Sequence, residues 1–315
     1  MTTVQASPAE RDTAPATPPT QRSSKVPHAL ILPAVIILLI GMGYPLIWQI
    51  VTSTQKFGLS SQFSGVAPFV GIDNYVTLFT DPVIWAVVGR SLLFCIVTAA
   101  ITVIWGGLFA LLMKAAGKVG RLILQICLLL AWSMPVVAAM TVWIWLFDYR
   151  RGVVNYLLNM LPGVEMDRYN WLDTPGTFFL VASIIVVWMS VPFVAFSLYA
   201  GLTQVSDEVM EAAQLDGSNG WQRVRFIILP MIRPVLMIVL LLQLIWDLRV
   251  FAQIQMLQDA GSGAGEFDLL GTYIYKLGTG GGDFGMASAV SIFVLAITIA
   301  ISWYYVRSLL KEDEN

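Results

Sequence analysis

Six long runs of apolar residues follow one another along the chain, separated by shorter segments that hold nearly all of the charges. A charge at the centre of a bilayer costs roughly 2.5–3.5 kcal/mol, so charged residues mark the ends of membrane spans. A helix needs about 20 apolar residues to cross the hydrocarbon core. The pattern predicts an all-α integral membrane protein with six transmembrane helices, over residues 29–51, 91–113, 122–147, 177–202, 232–257 and 284–306.

The composition agrees with this pattern. Hydrophobic residues make up 57% of the 315 residues and charged residues 12%, whereas soluble domains carry about 25% charged residues. So few charges cannot cover a water-facing surface of this size, and the apolar side chains are expected to face membrane lipid. The net charge of −2 and the lack of a basic domain argue against nucleic acid as a partner.

Residues with catalytic or metal-binding chemistry are scarce. His28 is the only histidine, and Cys95 and Cys127 lie in separate apolar runs. These residues exclude a zinc site, a disulfide framework and a Ser-His-Asp or Cys-His catalytic set. A G-x-x-x-x-G-K-[ST] phosphate-binding loop is absent as well. The sequence therefore predicts a chain without catalytic residues, without a metal and without a bound cofactor.

The ends of the chain and its orientation follow from composition and charge. Residues 1–27 contain five prolines among Ser, Thr and Gln, which predicts a disordered cytoplasmic tail before a six-helix domain over 28–308. Residues 309–315 form a short tail after the last span. Eleven Lys and Arg residues fall on the side of the two termini and six on the other side, which predicts that both termini are cytoplasmic.

The segment 203–230, between the fourth and fifth spans, has an unusual composition for a loop. Ser206 followed by Asp207 and Glu208 is typical of a helix N-terminus. Gly217 ends this first short helix, and a second begins near Trp221. The residues alone leave two interpretations open: an element that docks another protein, or a helix that lies among the lipid headgroups.

A motif in this loop favours docking. Its fixed positions resemble the EAA motif of ABC importer permeases, at identical spacing throughout, and they are Glu211, Ala212, Ala213, Gly217, Ile227, Leu229 and Pro230. In that family the loop couples transport to a separate ATPase subunit, into which it inserts, and the glycine makes the turn between its two helices. Residues 203–230 are therefore named the coupling loop. The resemblance implies that these residues contact an ATPase, which would use ATP and Mg outside this chain.

Other segments resemble the sugar-type, MalF/UgpA-like permeases of this family. They include residues 69–75 in the first outer loop, 134–138 in the third span and 246–251, which resembles actinobacterial trehalose permeases. The resemblance implies a multi-pass subunit of the cell (inner or plasma) membrane that imports a disaccharide through alternating access. The similarity of residues 246–251 to trehalose permeases implies that this disaccharide is trehalose. The implied partners are a second permease, two ATPase subunits, an extracytoplasmic sugar-binding lipoprotein and membrane lipid.

The fifth span contains a candidate sugar-binding face. Gln243, Trp246 and Asp247 share one helix face and offer an amide, an aromatic ring and a carboxylate. By distance from the motif, the resemblance implies that Met189, Ser190 and Phe193 of the fourth span face them. The alternative for all six residues is packing against the second permease.

Two rival functions remain on sequence grounds. One is import of another solute, such as glycerol 3-phosphate or an oligosaccharide. A substrate that carries a phosphate would be expected to meet several basic residues in the transport cavity, and only Arg249 is available there. The other is a membrane-embedded transferase with a lipid substrate. Asp148, Asp167 and Asp173 could supply its acids, but it would leave the coupling loop unexplained.

Overall fold

The computed structural model describes residues 26–261 and 266–313, and all regular structure in these ranges is helical apart from two isolated β-bridges. The sixteen α-helices, numbered in chain order from α1 to α16, are Val26–Leu38, Tyr44–Ser53, Leu59–Ser64, Asp73–Thr80, Pro82–Ala115, Lys118–Ser133, Val136–Leu146, Val153–Leu158, Pro175–Leu202, Asp207–Leu215, Gly220–Arg223, Leu229–Met231, Arg233–Leu248, Ala252–Gly261, Leu270–Tyr275 and Phe284–Asp313. Three π-helical segments occur at Leu39–Gly43, Val224–Ile228 and Lys276–Gly280. The predicted disordered tail comprises residues 1–27, of which residues 1–25 lie outside the described part of the chain.

The chain divides into two units, at Trp48 and Gln49. In the first unit, α1, the π-helical turn and the start of α2 form an apolar helical segment whose large side chains are exposed, including Ile37 and Ile40. Long exposed apolar helices are expected where lipid is the solvent. The helical stretch Ile31–Ser53 is long and apolar enough to cross a membrane.

The second unit, from Gln49 onward, holds the remaining candidate spans. Four long apolar helical stretches could each cross a membrane, at Pro82–Ala115, Pro175–Leu202, Arg233–Gly261 and Phe284–Ser308. The first of them begins before the predicted span 91–113 because Asp81 caps it, with a carboxylate oxygen 2.8 Å from Val83 N, and Pro82 occupies the first turn. The last helix, α16, continues to Asp313, so part of the predicted C-terminal tail is helical.

The predicted third span, 122–147, is not one straight helix. It consists of α6 and α7, which meet at an angle of 98°. The break falls at Met134 and Pro135, which have extended backbone conformations. Proline lacks a backbone N–H and disfavours a helical residue before it, so the helix ends there. The described residues thus contain five unbroken candidate spans, or six if the bent pair is one span.

Among the described helices, α5 and α9 pack against each other most extensively. Gly106 of α5 lies against Val194 of α9, so close that an added Cβ would be 2.5 Å from Val194 Cγ1. Buried apolar side chains of both helices form the surrounding core, and α13 packs on both. The small glycine lets the two backbones approach, as small residues do between membrane helices.

A segment at the N-terminal end of α5 is held to it by charged and polar groups. The Arg90 guanidinium donates to the carbonyl oxygens of Asp268 at 3.0 Å and Glu266 at 2.6 Å. Lys276 forms a salt bridge of 2.8 Å with the buried Asp268 carboxylate. These bonds fix residues 266–268 against the end of α5 that is opposite to the coupling loop.

Candidate functional site

The first short helix of the coupling loop, α10, is anchored on one side only. Ala213 is buried, and Met210 packs against a core formed by α9, α13 and the segment before α13. Glu211 and Ala212 are exposed on the other side. Ser206 occupies the N-cap position with an extended backbone, but its hydroxyl makes no capping hydrogen bond. The membrane helices therefore hold α10 while its outer side stays accessible.

Gly217 makes the turn after α10. Its φ is +79°, a conformation that favours glycine, and the backbone N–H of Ser218 donates to Ala213 O at 3.0 Å. The next helix starts with a capping box, in which Asn219 and Gln222 each accept from the other's backbone N–H, at 2.9 and 2.8 Å. Local backbone chemistry thus builds the helix–turn–helix form of the loop.

The coupling loop exposes large apolar side chains. Leu215 has 90% of its surface exposed, Trp221 68% and Phe226 67%. Ile227 is half-buried, while Leu229 and Pro230 are exposed. A segment with this exposure is typical of a surface that binds a partner.

In the fifth span, two of the predicted site residues are buried together. Gln243 Nε2 donates to Asp247 Oδ1 at 2.8 Å, and the Thr98 hydroxyl of α5 donates to Asp247 Oδ2 at 2.9 Å. All three side chains are at most 3% exposed. This group, called the polar tie below, joins α13 to α5. A sugar could contact Gln243 or Asp247 only if the two helices separated.

The other predicted residues lie nearer the surface. The rings of Trp246 and Phe193 are 4.9 Å apart, and Trp246 is 46% exposed. Met189 and Ser190 are half-buried, and Gln253 Nε2 of α14 donates to the Met189 sulfur at 3.6 Å. The structure thus brings Trp246 of α13 and Phe193 of α9 together, as the family resemblance implied, whereas Gln243 and Asp247 are buried in the polar tie to α5.

Sequence reasoning missed the partner of Asp247. Cys95, Thr98 and Thr102 follow each other at three- and four-residue steps along α5, and this polar stripe in an apolar span was a usable signal. Thr98 completes the polar tie, and the Cys95 thiol donates to Leu244 O at 3.3 Å. The Thr102 hydroxyl and Gln243 Oε1 are buried without a hydrogen-bond partner in the described structure.

A separate cavity of about 410 Å³ lies beyond the end of α13. Phe251 and Tyr275 line it with ring centroids 5.1 Å apart, and Ser288 and Ser291 of α16 contribute hydroxyls. Aromatic rings beside hydroxyl groups suit a sugar, because the rings stack on C–H faces and the hydroxyls form hydrogen bonds. The described residues include no group of three or more His, Cys, Asp and Glu side chains that could hold a metal.

Residues 103–308, well over half of the chain, match the model of the binding-protein-dependent transport system inner membrane component family. The chain belongs to this family of permeases. The match spans α9, the coupling loop, α13 and the last helix. The permease is therefore a multi-pass, non-catalytic subunit of an ABC importer in the inner membrane.

Sequence relatives narrow the class to carbohydrate importers. The permease is 37% identical over 289 residues to the diacetylchitobiose uptake system permease protein DasB of Streptomyces coelicolor, covering 92% of this chain and 88% of the relative. It is 31% identical to the trehalose/maltose transport system permease protein MalF of Thermococcus litoralis, covering 91% and 94%. Identity to the trehalose permease SugA of Mycobacterium tuberculosis is 26%, over 88% and 86%. The family resemblance seen in the sequence is confirmed, and the permease serves sugar import.

A solved structure shows the same fold. One chain of a bacterial ABC transporter that imports the acidic polysaccharide alginate superposes with a TM-score of 0.77 at 24% identity, covering 91% of this chain and 95% of that chain. The all-α prediction is confirmed.

Proposed function

We propose that this permease is one of two that together form the sugar path, with two ATPase subunits on the cytoplasmic side and an extracytoplasmic sugar-binding lipoprotein on the other. The observation that carries the proposal is the coupling loop, which is anchored to the membrane helices and exposes Glu211 and Leu215 to a partner. ATP and Mg bind the ATPase subunits. ATP-driven closure of these subunits moves the loops and exposes the path alternately to the two sides.

Docking of the loop can be tested by cross-linking. Glu211→Cys, in a Cys127→Ser background that removes the exposed native thiol, is expected to form a disulfide with a cysteine in the cleft of the ATPase subunit. The matched control is Arg150→Cys, which is exposed on the predicted opposite side. A cross-link that forms equally from both positions, or from neither, contradicts docking by α10.

We propose a disaccharide as the substrate and place a diacetylchitobiose-type sugar ahead of trehalose. The relative named for diacetylchitobiose is 37% identical to this permease, against 31% and 26% for the two whose names include trehalose. A phosphorylated solute fits less well. Arg249 is exposed at the end of α13, and no second Lys or Arg lies near it in the span.

The sugar is expected to pass the surface formed by Trp246 and Phe193, with Met189 and Ser190 beside it. The two rings give apolar faces for stacking, and the serine offers a hydrogen-bonding hydroxyl. The polar tie lies behind this surface and positions α13 against α5. Gln243 and Asp247 then act on transport through helix position in this state, and they contact sugar only if the helices part.

Substrate identity is tested with the complete transporter, reconstituted in vesicles with its binding protein. Diacetylchitobiose is expected to raise ATP turnover and to accumulate inside, and trehalose is the comparison sugar. Stimulation by trehalose alone would reverse our order of substrates. Stimulation by neither, but by glycerol 3-phosphate or a longer oligosaccharide, would overturn the disaccharide proposal while leaving the permease assignment intact.

A further inference from the structure

A polar cavity of about 340 Å³ lies at the C-terminal ends of α5 and α9 and the N-terminal end of α6, near the coupling loop. Two cations line it, Lys114 at the end of α5 and Arg121 in the first turns of α6. Tyr199 and Thr203 add hydroxyl groups, and Asp207 adds one carboxylate. The cavity thus has two positive charges against one negative charge, at the ends of the apolar helices.

Both cations are held in place by backbone carbonyls. Lys114 Nζ donates to Leu202 O at 3.1 Å and Val205 O at 3.5 Å. Arg121 donates to Met113 O at 2.9 Å and Ala116 O at 3.2 Å. These bonds use two of the three ammonium N–H groups and two of the five guanidinium N–H groups. The remaining donors of each half-buried side chain are available to an anion.

An apolar groove of about 480 Å³ runs between the same three helices, deeper in the membrane. On α9 it extends from Pro192 to Leu180, about 18 Å at 1.5 Å per residue. Trp105, Leu128 and Ile184 are among its walls. Its length exceeds the thickness of one leaflet, which is half of a hydrocarbon core of about 30 Å.

The groove and the polar cavity lie close to each other. Leu124 of the groove is one helical turn after Arg121 on α6. Phe109 of the groove is five residues before Lys114 on α5. Leu124, Phe109 and Tyr199 also pack on one hydrophobic cluster. A molecule with an anionic head and an apolar tail could therefore occupy both spaces at once.

We propose that this face binds an anionic phospholipid, with its phosphate at Lys114 and Arg121 and one acyl chain in the groove. Basic pockets between membrane helices are known to take anionic headgroups on the cytoplasmic side, and this is the cytoplasmic side in the orientation predicted from the sequence. Charge complementarity selects the head, and the apolar walls select the tail. A free phosphate would fill only the polar cavity. A partner protein would have no need of the two cations.

The site also adjoins the coupling loop. Ser206 and Asp207, which begin α10, line the polar cavity, and Lys114 binds the carbonyls just before them. A phosphate held there would contact the end of α9 and the start of α10 together. We expect the bound lipid to stabilise the attachment of α10 to the membrane helices, and so to raise sugar-stimulated ATP turnover.

The test counts phosphatidylglycerol molecules retained by the purified complete transporter in native mass spectrometry. Arg121→Gln is expected to weaken retention roughly tenfold, the effect of losing a charge-assisted hydrogen bond. The matched control is Lys118→Gln. Lys118 is exposed, lies about one helical turn before Arg121 on α6, and is not part of the cavity lining. Equal retention by these two variants would overturn the headgroup site.

A second variant probes the tail without touching either cation, in case Arg121→Gln fails to fold. Ala131→Trp fills the groove and is expected to reduce retention comparably, while excess inorganic phosphate leaves the lipid bound. Displacement by phosphate with no effect of Ala131→Trp would mean a phosphate site instead. A phosphatidylglycerol with a photoreactive acyl chain should label peptides around Cys127, which lines the groove. Cross-linking of Cys127 to the second permease instead would show that protein covers the groove, and would overturn the proposal.

Discussion

Replacing Gly106 by alanine is expected to push α5 and α9 apart. The new Cβ would lie 2.5 Å from Val194 Cγ1 and 2.7 Å from Val194 Cβ. Carbon atoms pack best at about 3.5–4.0 Å, so the helices or the valine must move by about 1 Å. Overpacking of this kind costs about 1–3 kcal/mol. Val194 is fully buried on α9, so it has little room to yield.

Gly107 provides the matched control. A Cβ at this neighbouring position would be 3.8 Å from Leu198 Cδ1, an ordinary contact. Gly107→Ala carries the same gain in helix propensity, about 1 kcal/mol, without the clash. Thermal unfolding of the purified transporter is therefore expected to rank Gly107→Ala above Gly106→Ala.

A second-site change completes the test. Val194→Ala alone leaves a cavity, and combined with Gly106→Ala it lets the new methyl group fill that space. The double variant is expected to be more stable than the sum of the single effects by about 1 kcal/mol or more, within the range for residues in contact. Additive effects, or a Gly106→Ala protein as stable as Gly107→Ala, would refute close helix packing at this point.

Three further predictions concern the coupling loop, the polar tie and the sugar path. Gly217→Pro is expected to abolish sugar uptake while the protein still inserts into the membrane, because proline cannot adopt a φ of +79°. The control variant Gly220→Ala, at a position with open space around it, should transport normally. Normal uptake by both variants would argue against a required turn at Gly217. Asp247→Leu is expected to lower the unfolding temperature more than Asp247→Asn, because leucine removes both hydrogen-bond acceptors of the polar tie. Hydrogen bonds between membrane helices are worth up to about 1.7 kcal/mol each. Equal unfolding temperatures of the two variants would contradict the tie. Trp246→Ala is expected to reduce sugar-stimulated ATP turnover with little change in unfolding temperature, since the ring is nearly half exposed; unchanged stimulation would remove Trp246 from the sugar path.

The long apolar helices could be predicted because charge and apolarity directly control insertion into lipid. The gaps between charged residues located all six runs, and the coupling loop carried its motif at fixed spacing. The 98° break between α6 and α7 was harder to see. Pro135 signals a helix boundary in principle, but an uninterrupted apolar run over 122–147 conceals it when only hydropathy is counted.

The candidate site was predicted in part, for a geometric reason. Helical periodicity places Gln243, Trp246 and Asp247 on one broad face, but it does not say which part of that face meets another helix. Thr98 decided this, because its hydroxyl and the Asp247 carboxylate satisfy each other between α5 and α13. A contact between residues 149 positions apart cannot be obtained from the pattern of either helix alone.

The two ends of the coupling loop explain why the site is built from these particular helices. α9 carries Phe193 and runs directly into the start of the loop, and α13 carries Trp246 and begins just after its end. From Arg233 to Trp246, α13 rises about 20 Å along its axis. A displacement of the loop therefore reaches Phe193 through α9, and Trp246 through α13, which begins three residues after the loop ends. The polar tie joins α13 to α5, and Gly106 joins α5 to α9, so a motion that separates the rings must also strain one of these two contacts. Variants that loosen either contact are thus expected to raise ATP turnover in the absence of sugar, whereas Trp246→Ala, which leaves both intact, should change only the response to sugar.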